Sequence, residues 1–205
     1  MGKAYNQYCP VAYALDVVGE RWSLLVVREL QHGPLRYTDL LGRLPGCSTN
    51  VLAARLKELE RHDVVRREKL PPPAASTVYS LTECGRGLAP VLGSLAHWGM
   101  RMLGPPPPEA LEPGWLEKAL RTAVAPLVGT SVSVGFRIDD EEASIVGGMA
   151  VPGIPEDVAA VITADPLGLY DLFVHGSRHG VEIEGDPDAV ERVLEAAGAL
   201  APVPG

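Results

Sequence analysis

The sequence predicts an α+β chain in two parts: a helical N-terminal part carrying a two-stranded ribbon, and a C-terminal α/β sheet part. Three observations lead there. Apolar residues recur at helical spacing through residues 10–62 and again through 82–103, with two β-rich runs between them. The run Gly104-Pro105-Pro106-Pro107-Pro108 then separates this half from a segment holding all five isoleucines of the chain, which fits greater strand content.

The first two helices are expected over 10–19 and 21–32, split at Gly19, with Val11, Leu15, Val18, Trp22, Leu25, Val26 and Leu30 as core residues. Gly33-Pro34 ends that run. Thr38 is placed to cap a short helix carrying Leu40, Leu41 and Leu44, and Pro45-Gly46 breaks the chain again. Residues 48–62 read as the next helix, capped by Ser48, with Leu52, Leu56 and Leu59 forming one buried stripe. At about 100° per residue, the opposite face carries Asn50, Ala53, Ala54, Lys57 and Arg61. Short side chains allow close approach, an amide pairs with base edges and cations meet phosphates, so this face suits a DNA major groove. A solvated surface helix shows the same pattern, and context separates the two. Val64–Leu70 and Thr77–Leu81 are β-rich runs joined by Pro71-Pro72-Pro73-Ala74-Ala75-Ser76, which predicts a ribbon with a stiff tip. Helix, turn, helix and ribbon together make a winged helix-turn-helix.

Beyond the ribbon, Thr82 is expected to cap one long helix in which Leu88, Val91, Leu92, Leu95, Trp98, Met102 and Leu103 keep helical spacing for about five turns. Such a stripe outruns a small domain. Part of it, with Tyr5–Tyr13, is read as a homodimer interface, the alternative being that it covers only its own core. A two-fold dimer places two recognition helices about one DNA turn apart, so the expected partner is double-stranded DNA with a palindromic operator.

The C-terminal part predicts a helix at 114–125, strands at 130–138, 142–151 and 158–163, a helix at 166–175, a strand at 180–185 and a helix at 187–198. Val161-Ile162-Thr163-Ala164-Asp165-Pro166 and Val181-Glu182-Ile183-Glu184-Gly185-Asp186-Pro187 repeat one device. A strand ends on a small residue, Asp caps a helix, and Pro takes the first helical position.

Over about residues 5–103 the ordered landmarks Cys9-Pro10-Val11, Ala14-Leu15-Asp16-Val17-Val18-Gly19, Arg21-Trp22, Leu30, Gly33-Pro34, Arg36-Tyr37, Leu40, Leu44-Pro45-Gly46, Ser48, Leu52, Arg55-Leu56 and Tyr79-Ser80-Leu81-Thr82 resemble the HxlR-type winged-helix transcriptional regulators, relatives of the MarR type. The resemblance implies a dimeric, sequence-specific DNA-binding repressor or activator. On it, Thr49, Asn50 and Lys57 read DNA with Ala53 on the same face, Arg36, Arg67 and Lys69 are phosphate contacts, and Ser48 serves mainly as the cap. Strand register at Val64 and Val65 leaves open whether Arg66 or Arg67 points outward. Arg21 stands where the family often has Lys. Ala74, Ala75 and Ser76 stand where it often has Arg near the wing tip, which removes the usual minor-groove cation. Some relatives sense oxidants or electrophiles through a cysteine at the position of Cys9; a sensing thiol must be partly exposed, whereas a buried one is only a small hydrophobe.

The repeated strand, Asp-Pro and helix after an antiparallel pair is similar to the sterol-carrier-protein-like domain over about the last ninety residues. That resemblance implies a hydrophobic tunnel between sheet and helices and a hydrophobic small-molecule effector. Its lining candidates are Trp115, Leu116, Phe136, Ile145, Met149, Leu169, Tyr170 and Phe173, each of which serves equally well as plain core. The domain plan is thus a winged helix-turn-helix DNA-binding and dimerisation domain over 1–103, a linker over 104–108 and a sterol-carrier-like ligand-binding domain over 109–205.

The net charge of −8 is uneven: residues 1–104 hold 13 Lys and Arg against 9 Asp and Glu, whereas 105–205 hold 5 against 17. Phosphate neutralisation needs local clusters of cations, so the first half is the DNA reader and the acidic half is expected to face away from DNA. No stretch approaches the length of an apolar span and no signal-peptide pattern opens the chain, so a cytoplasmic protein without membrane attachment is expected. Cys9, Cys47 and Cys84 form neither a disulfide framework nor a metal-ligand spacing. His175 and His179 are four apart, but the glycines around them argue against a helical metal site, and Asp139-Asp140-Glu141-Glu142 are expected in a hairpin turn. No catalytic motif, metal or cofactor is predicted, and hence no enzyme. Three other readings stay open: a redox or electrophile-sensing regulator acting through Cys9, a hydrophobic-metabolite carrier whose winged helix mainly dimerises, and a C-terminal domain serving only protein contacts.

Overall fold

The computed structural model describes residues 4–71, 75–123 and 131–197, and its contacts divide the chain into two compact units, 1–89 and 90–205. The first unit runs α1 (Pro10–Val18), α2 (Ser23–Leu30), α3 (Tyr37–Gly42), α4 (Thr49–Arg61), β1 (Val65–Lys69), β2 (Thr77–Leu81) and α5 (Glu83–Arg86). Ser48 caps α4 as its position predicts, its Oγ accepting from the Val51 N–H at 3.4 Å. Leu52, Leu56 and Leu59 are buried, and α4 packs against α2 and β1. Val26, Val27 and Leu30 of α2, with Leu40, Leu44, Val64, Val65, Val78 and Leu81, complete the core.

Several expectations change here. Val11, Leu15 and Leu25 are exposed, and Ala12 and Val27 take buried places beside Val18 and Val26. The second helix starts at Ser23 rather than 21, because Trp22 holds a left-handed backbone at φ 81° and ends any continuation from α1. α3 starts one residue before Thr38, with Arg36 in the N-cap position and no side-chain cap. The single long helix from Thr82 is two helices. Thr82 does cap α5, accepting from the Gly85 N–H at 3.0 Å, but α6 begins only at Ala89. Pro90 has no N–H to give and its ring would clash with the carbonyl of Arg86, the last residue of α5. α5 sits tightly under the start of β1: a Cβ added at Gly85 would lie 2.1 Å from the Val64 carbonyl oxygen. The wing tip at 72–74, where proline stiffening and the uncharged Ala74 were noted, lies outside the described residues.

The second unit holds α6 (Ala89–Leu103) from its second residue on, a 3-10 turn at Pro108–Ala110, α7 (Trp115–Ala123), β3 (Ser133–Ile138), β4 (Glu141–Val146), β5 (Met149–Pro152), β6 (Ala160–Ala164), α8 (Pro166–His175), β7 (Glu182–Gly185) and α9 (Pro187–Ala196). The predicted ends at 124–125, 130 and 198 lie outside the described residues. The contacts count α6 with this unit, whereas the boundary after residue 103 drawn from the sequence places it with the winged helix. The sheet order is β5-β4-β3-β6-β7, antiparallel throughout except for the β3–β6 pair. The strand expected at 142–151 is two strands, because Gly147 and Gly148 turn the chain with positive φ. Glu141 and Glu142 belong to β4 rather than to the hairpin turn, where Asp139 adopts φ 50°. Glu142 pairs with Arg137 across the ladder at 2.9 Å, and Glu141 accepts the Gly114 N–H at 2.8 Å just ahead of α7.

Val134, Phe136 and Ile138 of β3 alternate onto one face, joined by Ala143 and Ile145 from β4 and Ala160 and Ile162 from β6. α7, α8 and α9 bring Leu116, Leu120, Leu169, Leu172, Phe173, Val190, Val193 and Leu194 into the same cluster. Asp165 and Asp186 cap α8 and α9, accepting from the Gly168 and Asp188 N–H groups at 2.6 and 3.0 Å, with Pro at the first helical position in both. On the opposite face of β3, Gly135 leaves room for the β5–β6 connection: a Cβ there would lie 2.8 Å from Ile154 Cγ2. No described helix is long and apolar enough to cross a membrane.

Gly85→Ala is expected to destabilise the first unit by about 1–3 kcal/mol, since the added methyl meets backbone rather than a movable side chain. Thermal unfolding of the intact protein reads this directly, and an unchanged midpoint would mean that α5 is not seated on Val64. Asp165→Ala removes a cap and is expected to cost about 1 kcal/mol, measurable as a lower urea midpoint of the second unit.

Candidate nucleic-acid interface

The buried stripe of α4 fixes which residues face outward. Thr49, Asn50, Ala53, Ala54 and Lys57 are all exposed, and Ser48 precedes them at the cap. Arg55, flanking the stripe, is drawn back: its Nη1 lies 3.4 Å from Glu20 Oε2, and its side chain is only 20% exposed. Arg61 is also engaged, bonding Glu58 at 2.8 Å one turn earlier. That bond, more than the opposing desolvation, holds the Glu58 carboxyl below its ordinary range. Of the two cations on the outward face of α4, Lys57 alone keeps its charge uncompensated by a described neighbour.

Arg66 and Arg67 are both exposed, on opposite faces of the ribbon, and differ in the partners they meet. Arg66 lies opposite Ser80 and Arg67 opposite Tyr79, so they face opposite ways. On its side, Arg66 donates to Ser80 Oγ at 3.1 Å, Ser80 donates to Glu68 at 2.6 Å, and Arg66 lies 3.6 Å from Glu68. Arg67 and Lys69 share the other face. Leu35 exchanges both backbone hydrogen bonds with Tyr79, at 3.0 and 2.8 Å, so Arg36 enters α3 directly from the edge of the ribbon.

The described cations of the first unit therefore divide into two groups. Arg28 and Arg43 reach the buried Glu29 at 2.7 and 3.9 Å, Arg21 lies over the Trp22 ring at 5.3 Å, Arg86 donates to the Leu81 carbonyl at 2.9 Å, and Arg55, Arg61 and Arg66 are paired as above. Arg36, Lys57, Arg67 and Lys69 have no ion-pair or hydrogen-bond partner among the described residues. These four are the cations among the eight positions expected from the sequence to meet DNA, the others being Ser48, Thr49, Asn50 and Ala53. Sequence reasoning missed two links that hold α4 in place: the Arg55–Glu20 pair and a 2.7 Å hydrogen bond from the Tyr37 hydroxyl to the Thr49 carbonyl. Both join residues far apart in the chain, and no local pattern marks either.

Cys9 occupies the N-cap position of α1 without a side-chain cap bond and is partly exposed; Cys47 is partly exposed and Cys84 exposed, and all three are free thiols. Of the lining candidates in the second unit, Leu116, Phe136, Ile145, Leu169 and Phe173 meet in one buried cluster with Trp115 packed against it. Tyr170 is half-buried outside that cluster, its hydroxyl donating to the Met100 carbonyl at 3.3 Å. Met149 is a correction. The Gly147-Gly148 turn pairs it with Val146, which places it on the face away from the helices and 51% exposed. An open cleft of about 520 Å³ lies instead among Thr163, Ala164, Asp165, Gly180, Val181 and Glu182, and shares no residue with the lining candidates. His175 ends α8 and His179 lies beyond Gly176, which has left-handed φ; among the described residues no group of three His, Cys, Asp or Glu is placed to hold a metal ion.

Residues 17–106 match the HxlR-like helix-turn-helix family. YvaP of Bacillus subtilis, an uncharacterised HTH-type transcriptional regulator, is 38% identical over 101 residues, which is 49% of this chain and 94% of that protein. The uncharacterised HTH-type transcriptional regulator sll1512 of a Synechocystis strain is 44% identical over 44% of this chain and 67% of its own length. Among solved structures, the reduced form of the transcriptional regulator YodB from B. subtilis is 34% identical, covers 46% of this chain and 94% of that one, and superposes with a TM-score of 0.42. Through its winged-helix half, the chain belongs to the HxlR-like helix-turn-helix family.

Proposed function

We propose that this transcriptional regulator binds a palindromic operator as a homodimer, with α4 in the major groove. Asn50 and Thr49 read base edges, Ala53 permits close approach, Lys57, Arg36, Arg67 and Lys69 hold phosphates, and Ser48 caps the helix. One observation carries this reading: in a unit where the other described cations are engaged by acids, rings or carbonyls, the four unpartnered ones lie on α4, at the start of α3 and on one face of the ribbon. An uncompensated cation keeps its full charge for a phosphate, and its counterion exchange makes binding salt-dependent. Dimerisation is supported by the apolar side chains left uncovered on α6, Val91, Leu95, Trp98 and Met102, which recur at helical spacing with 44–70% exposure. Tyr5, Tyr8 and Val11 are likewise exposed.

The C-terminal domain is read as the seat of a hydrophobic effector, following its resemblance to the sterol-carrier-like fold. Support comes from three helices packed on one face of a five-stranded sheet over an entirely apolar cluster. An effector there changes DNA affinity only through unequal affinity for the DNA-competent and incompetent forms. A second reading, control through Cys9, rests on a partly exposed thiol at a helix start.

Asn50→Ala is expected to cost about 1–3 kcal/mol on the operator and little on random DNA, measured by competition binding. Lys57→Ala should weaken both duplexes alike and flatten the salt dependence by about one phosphate contact. Equal losses for Asn50→Ala on the two duplexes would remove its reading role. For the second reading, mild peroxide or quinone treatment followed by mass spectrometry should modify Cys9 and lower DNA affinity; an unmodified thiol with unchanged affinity ends it.

A further inference from the structure

The hydroxyl of Tyr37, the first residue of α3, donates a 2.7 Å hydrogen bond to the carbonyl oxygen of Thr49, the first residue of α4. A carbonyl has two lone pairs, so this bond adds to the helix ladder without replacing any of it. The bond closes across the Pro45-Gly46 turn and joins the entries of two helices. Its two ends each have a neighbour of consequence: Arg36, an unpartnered cation, precedes Tyr37, and Asn50, an exposed amide, follows Thr49.

Phosphate contacts fix the register of a protein on DNA and base contacts read sequence, so the geometry between the two decides how well an anchored protein discriminates. We infer that Tyr37 is a positioning residue for sequence discrimination, its hydroxyl holding the first turn of α4 at a fixed offset from the Arg36 anchor. The inference rests on α4 being the groove helix. The ring is half-buried whatever the hydroxyl does, and Leu40, Leu44 and Leu52 of the same region lie in the core. Loss of the hydroxyl therefore leaves the fold and the cations in place and frees only the start of α4. A bidentate amide contact tolerates such freedom poorly, whereas a lysine on a flexible stem tolerates it well.

The test uses the intact protein and a duplex enriched by the wild type from a random-sequence library, with an unselected duplex as reference. Affinities of wild type, Tyr37→Phe, Asn50→Ala and the double variant are measured on both. Tyr37→Phe should lower the enriched-to-reference ratio about three- to tenfold, with reference affinity unchanged and the thermal midpoint lowered only by what one hydrogen bond contributes. The double variant should discriminate no worse than Asn50→Ala alone, because both changes act on one contact. An unchanged ratio in Tyr37→Phe, beside a lowered one in Asn50→Ala, overturns the inference and leaves the groove-helix reading standing. Equal losses on both duplexes also overturn it, since they mark a merely structural hydroxyl. An unchanged ratio in Asn50→Ala removes the groove-helix reading and the inference with it.

Discussion

Everything proposed for the first unit depends on the burial of Leu52, Leu56 and Leu59 against α2 and β1. Three leucines on one stripe set the rotation of α4 about its axis, and that rotation alone decides that Asn50, Ala53 and Lys57 look outward. Truncating any one of them would cost about 2–5 kcal/mol, more than any polar contact at the surface of this helix supplies. The apolar stripe thus fixes which way the helix faces. Finer alignment is left to polar links at its start: the Ser48 cap, the Tyr37 hydroxyl and the Arg55–Glu20 pair.

This division explains what was legible in the sequence. Periodicity and capping are local signals, and they located α4, β2, α8, both Asp-Pro caps and the outward face of α4. Failures came where a distant partner decides the outcome. Leu15 and Leu25 fit an apolar stripe but lie outside the core, because a period cannot say how many neighbours exist to cover it. The helix expected after Thr82 kept its spacing through Leu88, yet Pro90 and the close seat of Gly85 under Val64 break it. Met149 had the right chemistry for a core residue, and one glycine pair before it reversed its face. In strands a shift of one residue exchanges inside for outside, so sheet assignments fail completely where helix assignments fail by degrees.

The distribution of cations follows from the same physics. An arginine beside a carboxylate loses much of its pull on a third charge, and side chains on one strand face share neighbours two residues apart. Glu68 thus compensates Arg66 and not Arg67. Period two converts a Val-Arg-Arg-Glu-Lys strand into one compensated face and one free, basic face. The sequence alone left both arginines open because Val64 and Val65 are adjacent and both buried, which hides the phase of the alternation.

The acidic second half does not weaken the case for DNA. Exposed charges farther apart than about 8–10 Å are largely screened at physiological salt, so phosphate binding depends on the charges close to the contact and not on the whole-chain total. What counts for phosphate binding is local, uncompensated cations, and among the described residues of the first unit these are Arg36, Lys57, Arg67 and Lys69. Some acids of the second unit do local work: Asp165 and Asp186 cap helices, Glu117, Glu142 and Glu191 pair with Arg121, Arg137 and Arg178, and Glu141 holds the entry to α7. The Tyr37 phenol and the Ser48 hydroxyl both bond the backbone at the start of α4, the turn that presents Asn50.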